Sequence, residues 1–156
     1  MSALFTHDIQ NQVLTITLNR PEIHNAFNDE LIDELTLFLQ EKSLDPKLRL
    51  LCLTGAGKSF SAGADLNWMK KMKEYSQEEN LRDAKKLALL FSTLNSFPTP
   101  VLAKVKGAAL GGGSGLVAVC DYVLAEKTAL FGFTEAKLGL IPAVISPYVM
   151  AKIGET

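Results

Sequence analysis

Gly107-Ala108-Ala109-Leu110-Gly111-Gly112-Gly113-Ser114-Gly115-Leu116-Val117-Ala118-Val119-Cys120-Asp121 organises the chain. An apolar run with β-branched ends, Val101-Leu102-Ala103-Lys104-Val105, leads into it. The pair reads as a strand, a glycine turn and a short buried helix. Three consecutive glycines permit backbone conformations and close approaches that a Cβ would forbid. The helix that follows turns its free N–H groups back into the glycine turn. A helix N-terminus carries about half a positive charge and spare donors, so it favours an anion or a developing oxyanion. The alternative is that the glycines serve only tight helix–strand packing.

A second stretch repeats the layout. The buried-strand run Leu50-Leu51-Cys52-Leu53-Thr54 precedes Gly55-Ala56-Gly57-Lys58-Ser59-Phe60-Ser61-Ala62-Gly63-Ala64-Asp65-Leu66, where small residues lead into another helix. Two such loops can supply two main-chain N–H donors to one oxygen atom, which requires no side chain larger than a methyl. Asp65 stands where that helix begins, and its side chain reads as a cap on the first N–H groups.

Working outward, Val13 to Asn19 alternates apolar and polar as a half-buried strand, with Leu4 to Ile9 its hairpin partner. Arg20-Pro21 ends the strand, since proline donates nothing to a ladder. Asn28 is an N-cap for a helix through Leu31, Ile32, Leu35, Phe38 and Leu39. Leu66 to Met72 reads as a short helix, Glu74 to Asn80 as a polar loop, and Leu81 to Phe97 as a long amphipathic helix ended by Pro98 and Pro100. Asp121 to Ala125 and Ala129 to Phe131 are strands, and Ile145 to Ile153 begins a helix. Alternating strands and helices give an α/β class.

The 156 residues carry a net charge of −1 and are 47% hydrophobic, which suits one domain with a sizeable core. Near-neutral charge without a basic cluster argues against nucleic acid as a partner. No apolar run is long enough for a bilayer, so no membrane partner and a cytoplasmic location are expected. Cys52 and Cys120 lie inside apolar runs and read as reduced core residues. His7, His24 and the cysteines have no metal-site spacing.

Gly55-Ala56-Gly57-Lys58-Ser59 imitates part of a P-loop, but Cys52 stands where the first glycine of that longer loop is needed. A dinucleotide-binding pattern begun at Gly55 fails at Phe60, and one begun at Gly111 fails at Leu116.

Phe60 to Leu66, Gly107 to Asp121, and Phe131-Gly132-Phe133-Thr134-Glu135-Ala136-Lys137-Leu138-Gly139-Leu140-Ile141-Pro142 together resemble the enoyl-CoA hydratase/isomerase (crotonase) family. Leu18-Asn19-Arg20-Pro21-Glu22-Ile23-His24-Asn25-Ala26-Phe27 resembles that family's opening. Gly139 to Val149 is most similar to bacterial methylglutaconyl-CoA hydratase-type members. The resemblance implies a ClpP/crotonase-like spiral of ββα units. It makes residues 1–156 the core domain, without the C-terminal helical region that in the family helps to form trimers or hexamers.

The resemblance implies an acyl-CoA thioester as substrate and no separate cofactor, because coenzyme A is part of that substrate. It places the oxyanion donors at the N–H groups of Ala64 and Gly112 and the acid/base at Glu135. Arg20, Ala26, Ala62, Gly63, Ala64, Asp65, Leu66, Gly111, Gly112 and Pro142 are expected to contact the CoA or acyl part, with Arg20 a candidate phosphate partner. No metal is expected. Without that context Glu135 would read as a surface charge at a helix start.

One position departs from the family pattern. A second glutamate usually stands three residues after the middle glycine, and here that position is Gly115. Two-carboxylate hydration therefore does not carry over residue by residue. Hydration through Glu135 alone, double-bond isomerisation, and a CoA-binding module without turnover all remain open.

Overall fold

The computed structural model describes residues 3–154. Phe5–Gln10 (β1) and Val13–Leu18 (β2) form an antiparallel hairpin closed by Asn11 and Gln12, both in the left-handed region. Leu50–Gly55 (β3), Val101–Val105 (β4) and Tyr122–Ala125 (β6) then add in parallel, giving the order β1-β2-β3-β4-β6. Parallel strands need crossovers, and helices supply them here. Asp29–Lys42 (α1) joins β2 to β3, while Leu66–Met72 (α2) and Gln77–Asn95 (α3) join β3 to β4.

The core lies between the sheet and the facing stripes of α1 and α3. Leu14, Ile16, Leu51, Leu53 and Ala103 from the sheet meet Leu31, Ile32, Leu35 and Leu39 of α1 and Leu90, Phe91 and Leu94 of α3, all buried. The helical spacing of those apolar positions is what turns one face of each helix inward. On the opposite edge, Tyr122 and Leu124 of β6 are exposed.

A second, two-stranded parallel sheet pairs Ala108–Leu110 (β5) with Leu130–Gly132 (β7). Sequence reading runs directly from β4 into the glycine turn and does not find β5. Two alanines and a leucine show no alternation, and their pairing partner lies some twenty residues away. Gly112–Ala118 (α4) follows, and Ser146–Ile153 (α5) packs on it.

The segment Glu74 to Asn80, read as a loop, is corrected: α3 begins at Gln77. Ser76 caps it, accepting from the Glu79 N–H, while the Glu79 side chain accepts from the Ser76 N–H at 2.7 Å. That reciprocal capping box holds a polar first turn that apolar periodicity does not reveal.

Candidate active site

The two glycine loops come together above the sheet. Ser61 pairs with Ala109 in an isolated bridge, its N–H donating to the Ala108 carbonyl and its carbonyl accepting from Leu110. Gly63 (φ 84°) approaches so closely that a Cβ there would stand 2.7 Å from the Leu110 carbonyl oxygen and 3.0 Å from the Gly112 nitrogen. Gly63 is thus required both for its left-handed backbone and for space.

The loop around Ala64 is anchored from both sides. Phe27 N–H donates to the Gly63 carbonyl at 2.8 Å, and Asp65 N–H donates to the Phe27 carbonyl at 2.9 Å. Between these bonds, the N–H of Ala64 meets no acceptor among the described residues. Neither does the N–H of Gly112, which opens α4 and has no preceding helical turn to donate to. A Cβ on Gly112 would overlap the Phe27 ring, so this one residue touches both loops.

Beneath them lies a buried polar knot. Asn25, fully buried, donates to the carbonyls of Ala56 and Ser59 and accepts from the Arg20 N–H. Ser61 Oγ donates to the Asn25 carbonyl and accepts from the Gly63 N–H. Ala62 N–H donates to the His24 carbonyl. Each buried polar group finds a partner inside the knot, which fixes the loop without a sheet ladder.

Glu135 begins a short 3-10 helix, Glu135–Leu138, just past β7. Ser114 ties α4 to β5 and β7: its Oγ donates to the Ala109 carbonyl at 2.7 Å and accepts from the Gly132 N–H at 3.2 Å. The Glu135 carboxyl lies against Gly111 (φ 52°), where a Cβ would be 3.0 Å from Oε1 and 3.5 Å from Oε2. Oε2 is buried without a hydrogen-bond partner among the described residues. A carboxylate oxygen kept from both water and donors is costly unless something else comes to it.

The expected site residues thus fall into an assembled group and an outer one. Ala26, Ala62, Gly63, Ala64, Asp65, Gly111, Gly112 and Glu135 surround the junction of the two loops. Leu66 opens α2 and is exposed, and Pro142 is half-buried in the turn before α5, accepting from the Ser146 N–H. Arg20 is engaged within the protein: Nη2 donates to Asp65 Oδ2 at 3.0 Å and Nη1 to the Ala26 carbonyl at 2.6 Å. Asp65 Oδ1 accepts from the Asn67 N–H, the cap that its position indicates.

Sequence reasoning missed Phe27, Asn25, Ser61 and Ser114 as supports of the site. Asn25 and Phe27 lie in a stretch that resembles the family opening, a signal that pointed to the loop but not to their contacts. It also missed Ile145, whose Cγ2 lies where a Gly115 side chain would go, 2.5 Å from an ideal Cβ.

The enoyl-CoA hydratase/isomerase family model matches residues 8–156. The chain belongs to the enoyl-CoA hydratase/isomerase family. The 2,3-dehydroadipyl-CoA hydratase of Escherichia coli is 38% identical over 133 residues, 85% of this chain and 50% of its own length. An enoyl-CoA hydratase of Alternaria alternata is 36% identical over 149 residues, 93% of this chain and 47% of its own. The crystal structure of an enoyl-CoA hydratase from Shewanella pealeana superposes with a TM-score of 0.95 at 42% identity, covering 98% of this chain and 58% of that one. The family and its fold therefore follow from both comparisons, and the chain spans about half the length of these curated relatives.

Proposed function

We propose that this chain carries the thioester-polarising and proton-transferring part of an enoyl-CoA hydratase. The observation that carries the reading is Glu135 Oε2, buried and, among the described residues, without a partner, beside the glycine turn whose Gly112 N–H likewise meets no acceptor there. The thioester oxygen of a 2-enoyl-CoA is taken to accept from Ala64 and Gly112. As water attacks C3, Glu135 takes its proton and the C2=C3 electrons move onto the thioester oxygen as an enolate. The enolate collapses when Glu135 returns that proton to C2. One carboxylate performs both transfers, and fixed donors aimed at the developing charge lower the barrier.

Gly115 favours a second reading, enoyl-CoA isomerisation. No carboxylate stands at that position to orient water, and Ile145 fills the space. Glu135 would then remove a proton from C2 of a 3-enoyl-CoA and return it to C4, through a dienolate held by the same donors. The acyl group is proposed to be of the methylglutaconyl or fatty type, in breakdown of leucine or fatty acids. Support for the first is the likeness of residues 139–149 to methylglutaconyl-type sequences. Assembly into a homotrimer or hexamer in the cytoplasm completes the proposal. No helix among the described residues is long and apolar enough to cross a membrane.

The test is Glu135→Gln, assayed by loss of the conjugated enoyl-thioester absorbance. A fall of about 10²–10⁴-fold is expected from loss of a general acid/base. Full activity in the variant overturns the assignment. With a 2-enoyl-CoA, a 3-hydroxyacyl product indicates hydration; with a 3-enoyl-CoA in deuterated water, a double bond moved to C2 indicates isomerisation. Binding of a non-hydratable acyl-CoA without either product supports a CoA-binding module.

A further inference from the structure

The Ala64 donor belongs to no helix and no sheet ladder. Its place is set by two hydrogen bonds to Phe27, one on each side of it. What then fixes Phe27 is the Arg20 guanidinium. Nη1 holds the carbonyl of Ala26, the residue before Phe27, and Nη2 holds the carboxylate of Asp65, the residue after Ala64. One planar fork therefore grips both ends of the bracket that contains the donor. The Asp65 carboxylate is itself tied to the start of α2 through the Asn67 N–H, so the bracket is referred to a helix rather than to a free loop.

Stability alone does not account for this pair. The Arg20 and Asp65 side chains are only 15% and 11% exposed, so both ions are largely withdrawn from water. Desolvation offsets much of the attraction in such a pair, and apolar replacements are often as stable. What a guanidinium supplies that they cannot is a rigid fork with fixed angles between its donors. The ring of Phe27 also rests on Gly112, so a shift of Phe27 would alter both oxyanion donors together.

We infer that Arg20 and Asp65 are positioning residues that hold the Ala64 N–H in register with the Gly112 N–H. The inference rests on the oxyanion reading under Proposed function. Arg20 acts through Ala26 and Asp65, without touching the reacting atoms. Displacing a catalytic group by about 1 Å can cost about 10²-fold in rate, so a loosened bracket lowers turnover more than it weakens binding.

The experiment uses a p-dimethylaminocinnamoyl thioester of CoA, whose absorption moves to the red when its carbonyl is polarised. Arg20→Met, Arg20→Lys and Asp65→Asn are compared with the unaltered protein, alongside kcat and KM for a 2-enoyl-CoA. The expected result is a red shift in the unaltered protein that falls to less than half in Arg20→Met and Asp65→Asn. Their kcat falls about tenfold or more, with KM within about threefold. Arg20→Lys recovers part of the shift, because an ammonium reaches one of the two acceptors at a time. A full red shift and full kcat in both Arg20→Met and Asp65→Asn overturn the positioning role while leaving the oxyanion reading intact. No red shift in the unaltered protein, with the probe bound, overturns the oxyanion reading and the inference with it. Circular dichroism and the thermal midpoint identify any variant that fails to fold, in which case Arg20→Lys and Asp65→Asn carry the comparison.

Discussion

Gly115 and Ile145 compete for one space: a Cβ on Gly115 would stand 2.5 Å from Ile145 Cγ2 and 2.9 Å from Ile145 Cβ. Phe91 closes the same space at 3.2 Å, and its ring packs on Tyr148 with centroids 6.0 Å apart. The glycine thus sits against an apolar wall contributed by α3 and the start of α5. Gly115→Ala is expected to destabilise by about 1–3 kcal/mol through overpacking, read from urea unfolding. Ile145→Ala alone leaves a cavity and costs about 2–5 kcal/mol. The double variant is expected to cost less than the sum of the two, because the new methyl occupies part of the vacated volume. Gly115→Glu alone would bury a carboxylate in that wall, and no gain in hydration is expected from it. Additive single and double effects would show that the two residues do not share the space.

Gly63 supports the second prediction. Its φ of 84° and the 2.7 Å approach to the Leu110 carbonyl leave no room for a methyl. Gly63→Ala is expected to lose about 1–3 kcal/mol, a strained backbone being the principal cost. Its effect on turnover exceeds that loss, because Ala64 and Gly112 are displaced relative to each other. Loss of one oxyanion-hole donor costs about 10²–10³ in kcat elsewhere. A variant with unchanged kcat would remove this loop from the chemistry.

The two loops were legible in the sequence because close backbone approach demands glycine and small residues locally, as at Gly63 and Gly111 to Gly113. The amphipathic faces of α1 and α3 were legible for the same local reason, periodic apolar positions. What the sequence did not reveal depends on distant partners. Arg20 invited a phosphate, yet Asp65, forty-five residues on, accepts its Nη2. The space beside Gly115 is filled by Ile145, thirty residues on, which no local pattern encodes. The role of β5 appears only when β7 lies beside it, and that of Ser114 only when it bonds to Gly132.

The cysteines give a prediction in the alkaline range. Burial pushes the Cys120 thiol up to about 12, and Cys52 is also raised by burial, with Lys104 opposing the shift. Both are buried free thiols. In the unfolded chain a thiol ionises near its ordinary value of about 8.5. A raised folded pKa contributes stability that is present below that value and is lost as pH rises through the folded one. Stability is therefore expected to decline from about pH 8.5 upwards, and Cys120→Ser or Cys120→Ala to flatten the decline. Iodoacetamide labelling of Cys120 in the folded protein should be far slower than in urea. Equal rates in the two states would mean that the thiol is accessible.

The capping box of α3 gives the acid-range counterpart. The Ser76 N–H and hydroxyl hydrogen bonds hold the Glu79 carboxyl below its ordinary value of 4.5, the backbone bond being the larger cause. A depressed carboxylate contributes stability above its unfolded pKa and loses it as pH falls through the folded value. The contribution begins to fall on acidification below about pH 4.5, the ordinary glutamate value, and is gone once the pH passes below the depressed folded value. Gln in place of Glu79 keeps an acceptor for the Ser76 N–H but has no proton to gain. Glu79→Gln is therefore expected to reduce the acid dependence of stability between pH 5 and pH 3, read as the slope of the urea midpoint against pH. Ser76→Ala removes the other half of the box and costs about 1 kcal/mol at neutral pH. The effect is felt beyond the helix end, because α3 presents Leu90, Phe91 and Leu94 to the core and Phe91 to Gly115. If Glu79→Gln and the unaltered protein lose stability in parallel on acidification, the acid sensitivity resides in other carboxylates.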